Sequence, residues 1–183
     1  MKITLEKPGK LYHFYPTTVA LVAAKYRDKE NAMAAAWHTA LSTDPPLYGV
    51  ALSPKRLTYE LIKEAREFAV NFLLFEQLDK LHGMGKVSGR DVDKFSKFPL
   101  GKDEGVRIDS PIIREAYASY ECLLEDEIDC GDHTLFVGRI VIIHYEEDFF
   151  QEGRLRTDLV KPILYLGSDN YITTREESHI KLA

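Results

Sequence analysis

Two hydroxyls and two cations crowd one short stretch of this chain: Ser53, Lys55, Arg56 and Thr58. That mixture suits the holding of a phosphate, and its setting adds to the case. Asp44-Pro45-Pro46 is a stiff turn, Leu47 to Leu52 is a short apolar run with strand character, and helical spacing begins near Leu57. The four residues therefore fall where a strand hands over to a helix. Unpaired backbone N–H groups and the positive end of the helix dipole attract anions there, and an arginine fork matches phosphate oxygens. The same residues have a plainer use, with Ser53 or Thr58 capping the helix and Lys55 and Arg56 in solvent.

Other chemistry-bearing residues are scattered. Gly83-Met-Gly85-Lys86-Val-Ser88-Gly89 nearly spells a dinucleotide-binding loop, but Ser88 stands where the third glycine belongs and no clear strand precedes it. It reads as a flexible loop from which Lys86 and Ser88 could still reach a phosphate or ribityl chain. The histidines, at 13, 38, 82, 133, 144 and 179, have no helical spacing suited to chelation. His38 lies between Trp37 and Thr39 in a small-residue segment where backbone could approach a flat ligand, and His133 opens the strongest strand. Cys122 and Cys130 are too few for a disulfide scaffold and lack the partners of a zinc site, so they read as buried or half-buried strand thiols. Signatures of hydrolases, kinases and zinc proteases are absent.

The elements that must position these residues are mostly strands. Val19 to Ala24 is apolar, Lys25 to Asn31 reads as a polar turn, and Ala32 to Leu41 as a returning strand or packed turn. Leu57 to Ala65 has helical spacing, and Phe68 to Leu74 reads as a strand. Between Tyr117 and Ile128, Ala118, Tyr120, Cys122, Leu124 and Ile128 share one face, and Ser119, Glu121, Glu125 and Glu127 the other, the pattern of a half-exposed strand. Gly131-Asp132 can turn that strand into a partner over His133 to Tyr145. Residues 76 to 110 read as a short helix with long loops. The sum is a mainly β protein with short helices, a closed or partly closed antiparallel barrel.

The 183 residues fit a single domain, with 146–183 as an extension packing on the barrel or a dimer interface. A net charge of −5 argues against a broad nucleic-acid or anionic-membrane surface. The N-terminus lacks the apolar core of a signal peptide and no apolar run could span a bilayer, so a cytoplasmic protein is expected.

Several segments together resemble the flavin reductase-like, FMN-binding split-barrel family, which includes flavoredoxin-type proteins and the small reductase components of two-component monooxygenases. They are Tyr15-Pro16, Asn31 to Pro46 with Trp37-His38-Thr39, Ser53 to Thr58, Glu67 to Phe72, Ser88 to Phe95, and Gly131 to Arg139 with His133. The resemblance implies a Greek-key FMN-binding split β-barrel, a homodimer, and hydride transfer from NADH or NADPH to FMN. It matches Ser53, Lys55, Arg56 and Thr58 to the flavin phosphate, and Trp37, His38 and Thr39 to the isoalloxazine. Ser88 falls in a further matching loop, and His133 matches a residue positioning the nicotinamide. Ala34 to Ala36 replace more polar residues that some relatives carry near the ring. An oxygenase component or a redox protein is the implied partner. A flavoredoxin-like or ferric-reductase-like electron carrier and a non-enzymatic ligand-binding barrel are the alternatives.

Overall fold

Val19 to Ala24 is apolar without a break because its strand is covered on both faces. In the computed structural model, which describes residues 1–7, 9–175, 177 and 180 and so leaves out His179, this strand is β1 (Ala20–Tyr26). Ala20, Val22 and Ala24 point into a barrel core with Val50, Phe68 and Phe136. Leu21 and Ala23 point outward into a second core with Leu73, Leu81, Met84, Phe95 and Ile113.

The main sheet continues through β2 (Lys29–Ala35), β3 (His38–Thr43), β4 (Pro46–Leu52), β5 (Glu67–Leu73), β6 (Ala116–Cys130) and β7 (His133–Tyr145). All neighbours are antiparallel, in the order β2-β1-β5-β6-β7-β4-β3. The two edge strands are consecutive in the chain, joined at Ala36 and Trp37, so the curled Greek-key sheet is a barrel split at that corner. The stretch 25–31 is mostly strand and not the expected turn: only Arg27 and Asp28 turn, with Arg27 at φ 54°. Ala32 to Leu41 is likewise two strands rather than one.

Helix α1 (Leu57–Ala65) seats Leu61 and Ile62 in the barrel core. The glycine-rich stretch expected as a flexible loop is largely helical, since α2 (Leu78–Lys86) contains Gly83 and Gly85. Gly83 is needed because a Cβ there would overlap the Phe98 ring. A four-residue helix, α3 (Lys94–Lys97), follows; Asp93 caps it by accepting from the N–H groups of Phe95 and Ser96.

The expected polar face of β6 is also corrected. Ser119 and Glu121 are buried, and they hold the loop that crosses the sheet. Glu121 accepts from the N–H groups of Val106 and Arg107, each at 2.7 Å. Asn71 accepts from the Ile113 N–H and the Ser119 hydroxyl, and Glu67 from the N–H groups of Asp109 and Ser110. A loop lying on a sheet must have its backbone groups satisfied, and these side chains do it. At the far end the β6–β7 hairpin outruns the core, which leaves Ile128 and Cys130 exposed; Cys122 is buried as expected.

The segment after β7 returns across the barrel. Val160 and Ile163 are buried, and β8 (Leu164–Gly167) pairs with Thr17–Thr18 and with β9 (Asn170–Ile172). No helix among the described residues is long and apolar enough to cross a membrane.

Candidate functional site

Arg56 is the N-cap residue of α1, with extended backbone, and its N–H donates to the Ser53 carbonyl at 3.0 Å. No side chain caps the helix. Ser53 therefore does not do so, and Thr58 is fully buried, its hydroxyl accepting from Asn31 Nδ2 at 2.8 Å. The first-turn N–H groups of α1 are left for another acceptor. Among the described residues no carboxylate forms an ion pair with Arg56, whereas Lys86 pairs with Asp169 at 2.6 Å.

Arg56 and Lys86 line one cleft of ≈ 390 Å³, floored by the small residues Ala34, Ala36 and Gly85. Tyr165, Asp169 and Tyr171, from the β8–β9 hairpin, form its far wall with His82. That wall is braced: Tyr165 and Tyr171 have ring centroids 5.0 Å apart, and His82 Nδ1 lies 3.1 Å from the Tyr171 hydroxyl.

Ala36 also lines a second, apolar cleft of ≈ 350 Å³, walled by Leu11, Phe14, Trp37 and Leu135. Trp37 is 37% exposed, its Nε1–H donates to the Tyr15 hydroxyl at 3.2 Å, and its ring lies 4.7 Å from that of His133. His133 Nδ1 donates to Asp132 at 2.8 Å. The His133 ring, with the positive charge of Lys55 as a smaller contribution, holds the Asp132 carboxyl below its ordinary pKa. Lys55 is exposed and does not line the cationic cleft.

His38 is fixed at both nitrogens. Nε2–H donates to the Thr18 carbonyl at 3.0 Å, so Nδ1 accepts from the Tyr48 hydroxyl at 2.7 Å. Burial lowers its pKa against the opposite pull of that carbonyl, which keeps the ring neutral. Its imidazole braces the barrel. Thr39 is exposed and donates to the Ala40 carbonyl. Ser88 lines neither cleft: its hydroxyl accepts from the Arg90 N–H, while Arg90 grips Glu60 of α1 through two bonds.

The residue that sequence reasoning missed is Lys94. Its side chain is buried, and Nζ donates to the carbonyls of Ala32 at 2.9 Å and Met84 at 2.7 Å. Burial, with the charge of Arg56 adding to it, brings its pKa down to about 8. Only its place in the Ser88 to Phe95 segment pointed toward it. The bond to Ala32 also shows that this carbonyl faces the open edge of β2. The two-residue period then aims the backbone groups of Ala34 the same way, toward the cleft.

The described residues contain no group of three or more His, Cys, Asp or Glu that could hold a metal ion. Comparison with known proteins gives one consistent family. The model for the flavin reductase like domain matches residues 11–171. A crystal structure of an FMN-binding protein from Thermus thermophilus with bound 1-cyclohex-2-enone is 38% identical, with a TM-score of 0.89 and 99% of both chains covered. Flavoredoxin of Desulfovibrio vulgaris is 28% identical with a TM-score of 0.87, covering 100% of this chain and 97% of its own. An NADH-dependent FMN reductase of Streptomyces nodosus subsp. asukaensis is 33% identical over 132 residues, 72% of this chain and 70% of the relative.

Proposed function

The chain belongs to the flavin reductase-like family, and from that premise we propose that it binds FMN and catalyses hydride transfer to it from NADH or NADPH. The observation that carries this reading is the pairing of a cationic, uncapped helix start at Arg56 with a cleft floored by Ala34, Ala36 and Gly85. A phosphate fits the first and a flat ring the second. Arg56 and the first-turn N–H groups of α1 would hold the phosphate. Lys86 would face it from α2, and the backbone of Ala34 would meet the polar edge of the ring.

Bound there, FMN supplies the hydride acceptor. The protein's own part is alignment and exclusion of water. Tyr165 and Tyr171 cover the cleft, while the Trp37–His133 pair borders the neighbouring apolar cleft and offers a platform for a nicotinamide. His133, oriented by Asp132, is the residue we assign to positioning that ring. The exposed apolar residues Leu11, Phe14, Trp37 and Leu41 beside the site support pairing with a second copy of the chain.

A second reading, an FMN electron carrier fed by a redox protein or serving an oxygenase component, is favoured by the end-to-end likeness to flavoredoxin. Titrating flavin-free protein with FMN while following flavin fluorescence tests the common premise of both. Saturable, stoichiometric quenching is expected, and fluorescence that tracks free FMN throughout would contradict it.

A further inference from the structure

Lys94 is 5% exposed, and among the described residues no carboxylate pairs with it. A buried ammonium without an anion is costly, and two carbonyls only partly offset that cost. Those carbonyls belong to Ala32 and Met84, and their near neighbours along the chain, Ala34 and Gly85, line the cationic cleft. The ammonium therefore lies just behind the cleft floor.

The other charged groups around it are accounted for. Lys86 on α2 is paired with Asp169, and Glu30 on β2 with Lys102. Asp93, beside Lys94 in sequence, accepts from two N–H groups of α3 and from the Ser96 hydroxyl. His82 on α2 faces Tyr171. Arg56 has no acidic partner among the described residues and repels Lys94. Two cations without a carboxylate partner among the described residues thus serve one cleft, Arg56 in its lining and Lys94 behind its floor. That is the charge complement of a phosphate monoester dianion.

We propose that Lys94 is the second cation of the phosphate site, acting through the cleft floor, and that binding of the dianion draws a proton onto it. The inference rests on the FMN reading given above. It adds a specificity: the site selects the phosphate monoester over uncharged riboflavin, and part of that selection is proton-linked. Above the depressed pKa the empty site holds Lys94 largely neutral, and the arriving dianion reverses this by favouring the charged form.

The test is calorimetric titration of the chain with FMN and with riboflavin at about pH 8.5 in buffers of different ionisation enthalpy, which counts protons taken up. Uptake of more than about half a proton per FMN, with none for riboflavin, is expected. Riboflavin carries the same ring, so a ring proton would appear in both titrations. In Lys94→Met the uptake should vanish and FMN affinity fall by about tenfold while riboflavin affinity holds. If that variant does not fold, the wild-type proton count decides the matter. FMN binding with no proton uptake overturns the role of Lys94 and leaves the FMN reading standing. A chain that binds neither flavin overturns both.

Discussion

Arg56 is the residue on which the proposed phosphate site turns, because it stands at a helix start and no carboxylate among the described residues pairs with it. Replacing it with Ala should remove a charge-assisted contact of about 1.5–3 kcal/mol, a loss of about ten- to a hundredfold in FMN affinity. Fluorescence titration checks this, and unchanged affinity would take Arg56 out of the site. The sequence made Arg56 visible because a cation before a helical run has few neighbours to hide it. It could not separate His38 from His133. Each opens a strand, yet one is bonded to Tyr48 and the Thr18 carbonyl and the other stands against Trp37 and Asp132. That difference is set by strand register, which puts His38 opposite Val50 and His133 beside the hairpin turn. Lys94 was hidden for another reason: a lysine between Asp93 and Phe95 looks like a solvent residue until its carbonyl partners are seen.

At the level of elements, the informative failure is β6. Its alternation was real, but a carboxylate that binds loop backbone and one that binds water leave the same pattern in a sequence. Glu121 shows the consequence. Burial pushes its carboxyl up, yet the N–H groups of Val106 and Arg107, together with His144 Nε2 at 2.7 Å, outweigh this and hold its pKa below the ordinary value. A carboxyl depressed on folding contributes stability that is present above its unfolded pKa and lost as pH falls through the folded one. Chemical denaturation followed from neutral to acid pH should therefore show a decline below the ordinary carboxylate range that is shallower in Glu121→Gln. Parallel profiles for the two proteins would remove Glu121 from that role. The strands of the barrel and α1 were legible because apolar runs and helical spacing survive tertiary context. A short helix was expected within 76–110, but its run through Gly83 and Gly85 was not legible, since the glycine at 83 answers to the Phe98 ring and not to local propensity.

Across the whole molecule, the site lies where the barrel fails to close. The edges β2 and β3 meet at Ala36 and Trp37, α1 begins nearby at Arg56, α2 supplies Lys86, and the β8–β9 hairpin arrives from the end of the chain to form the far wall. These four segments, distant in sequence, line one cleft. A single sequence marks such segments as motifs but not their convergence, so Asp169 and His82 gave no local signal of a shared site. We propose that this convergence aligns a nicotinamide with FMN, and anaerobic titration of the FMN-loaded protein with NADH and then NADPH decides it. Rapid, stoichiometric bleaching of the flavin visible band by one of the two is the predicted result. A flavin that stays oxidised with both nicotinamides, yet is reduced promptly by a redox protein, would contradict the reductase account and leave the electron carrier in its place.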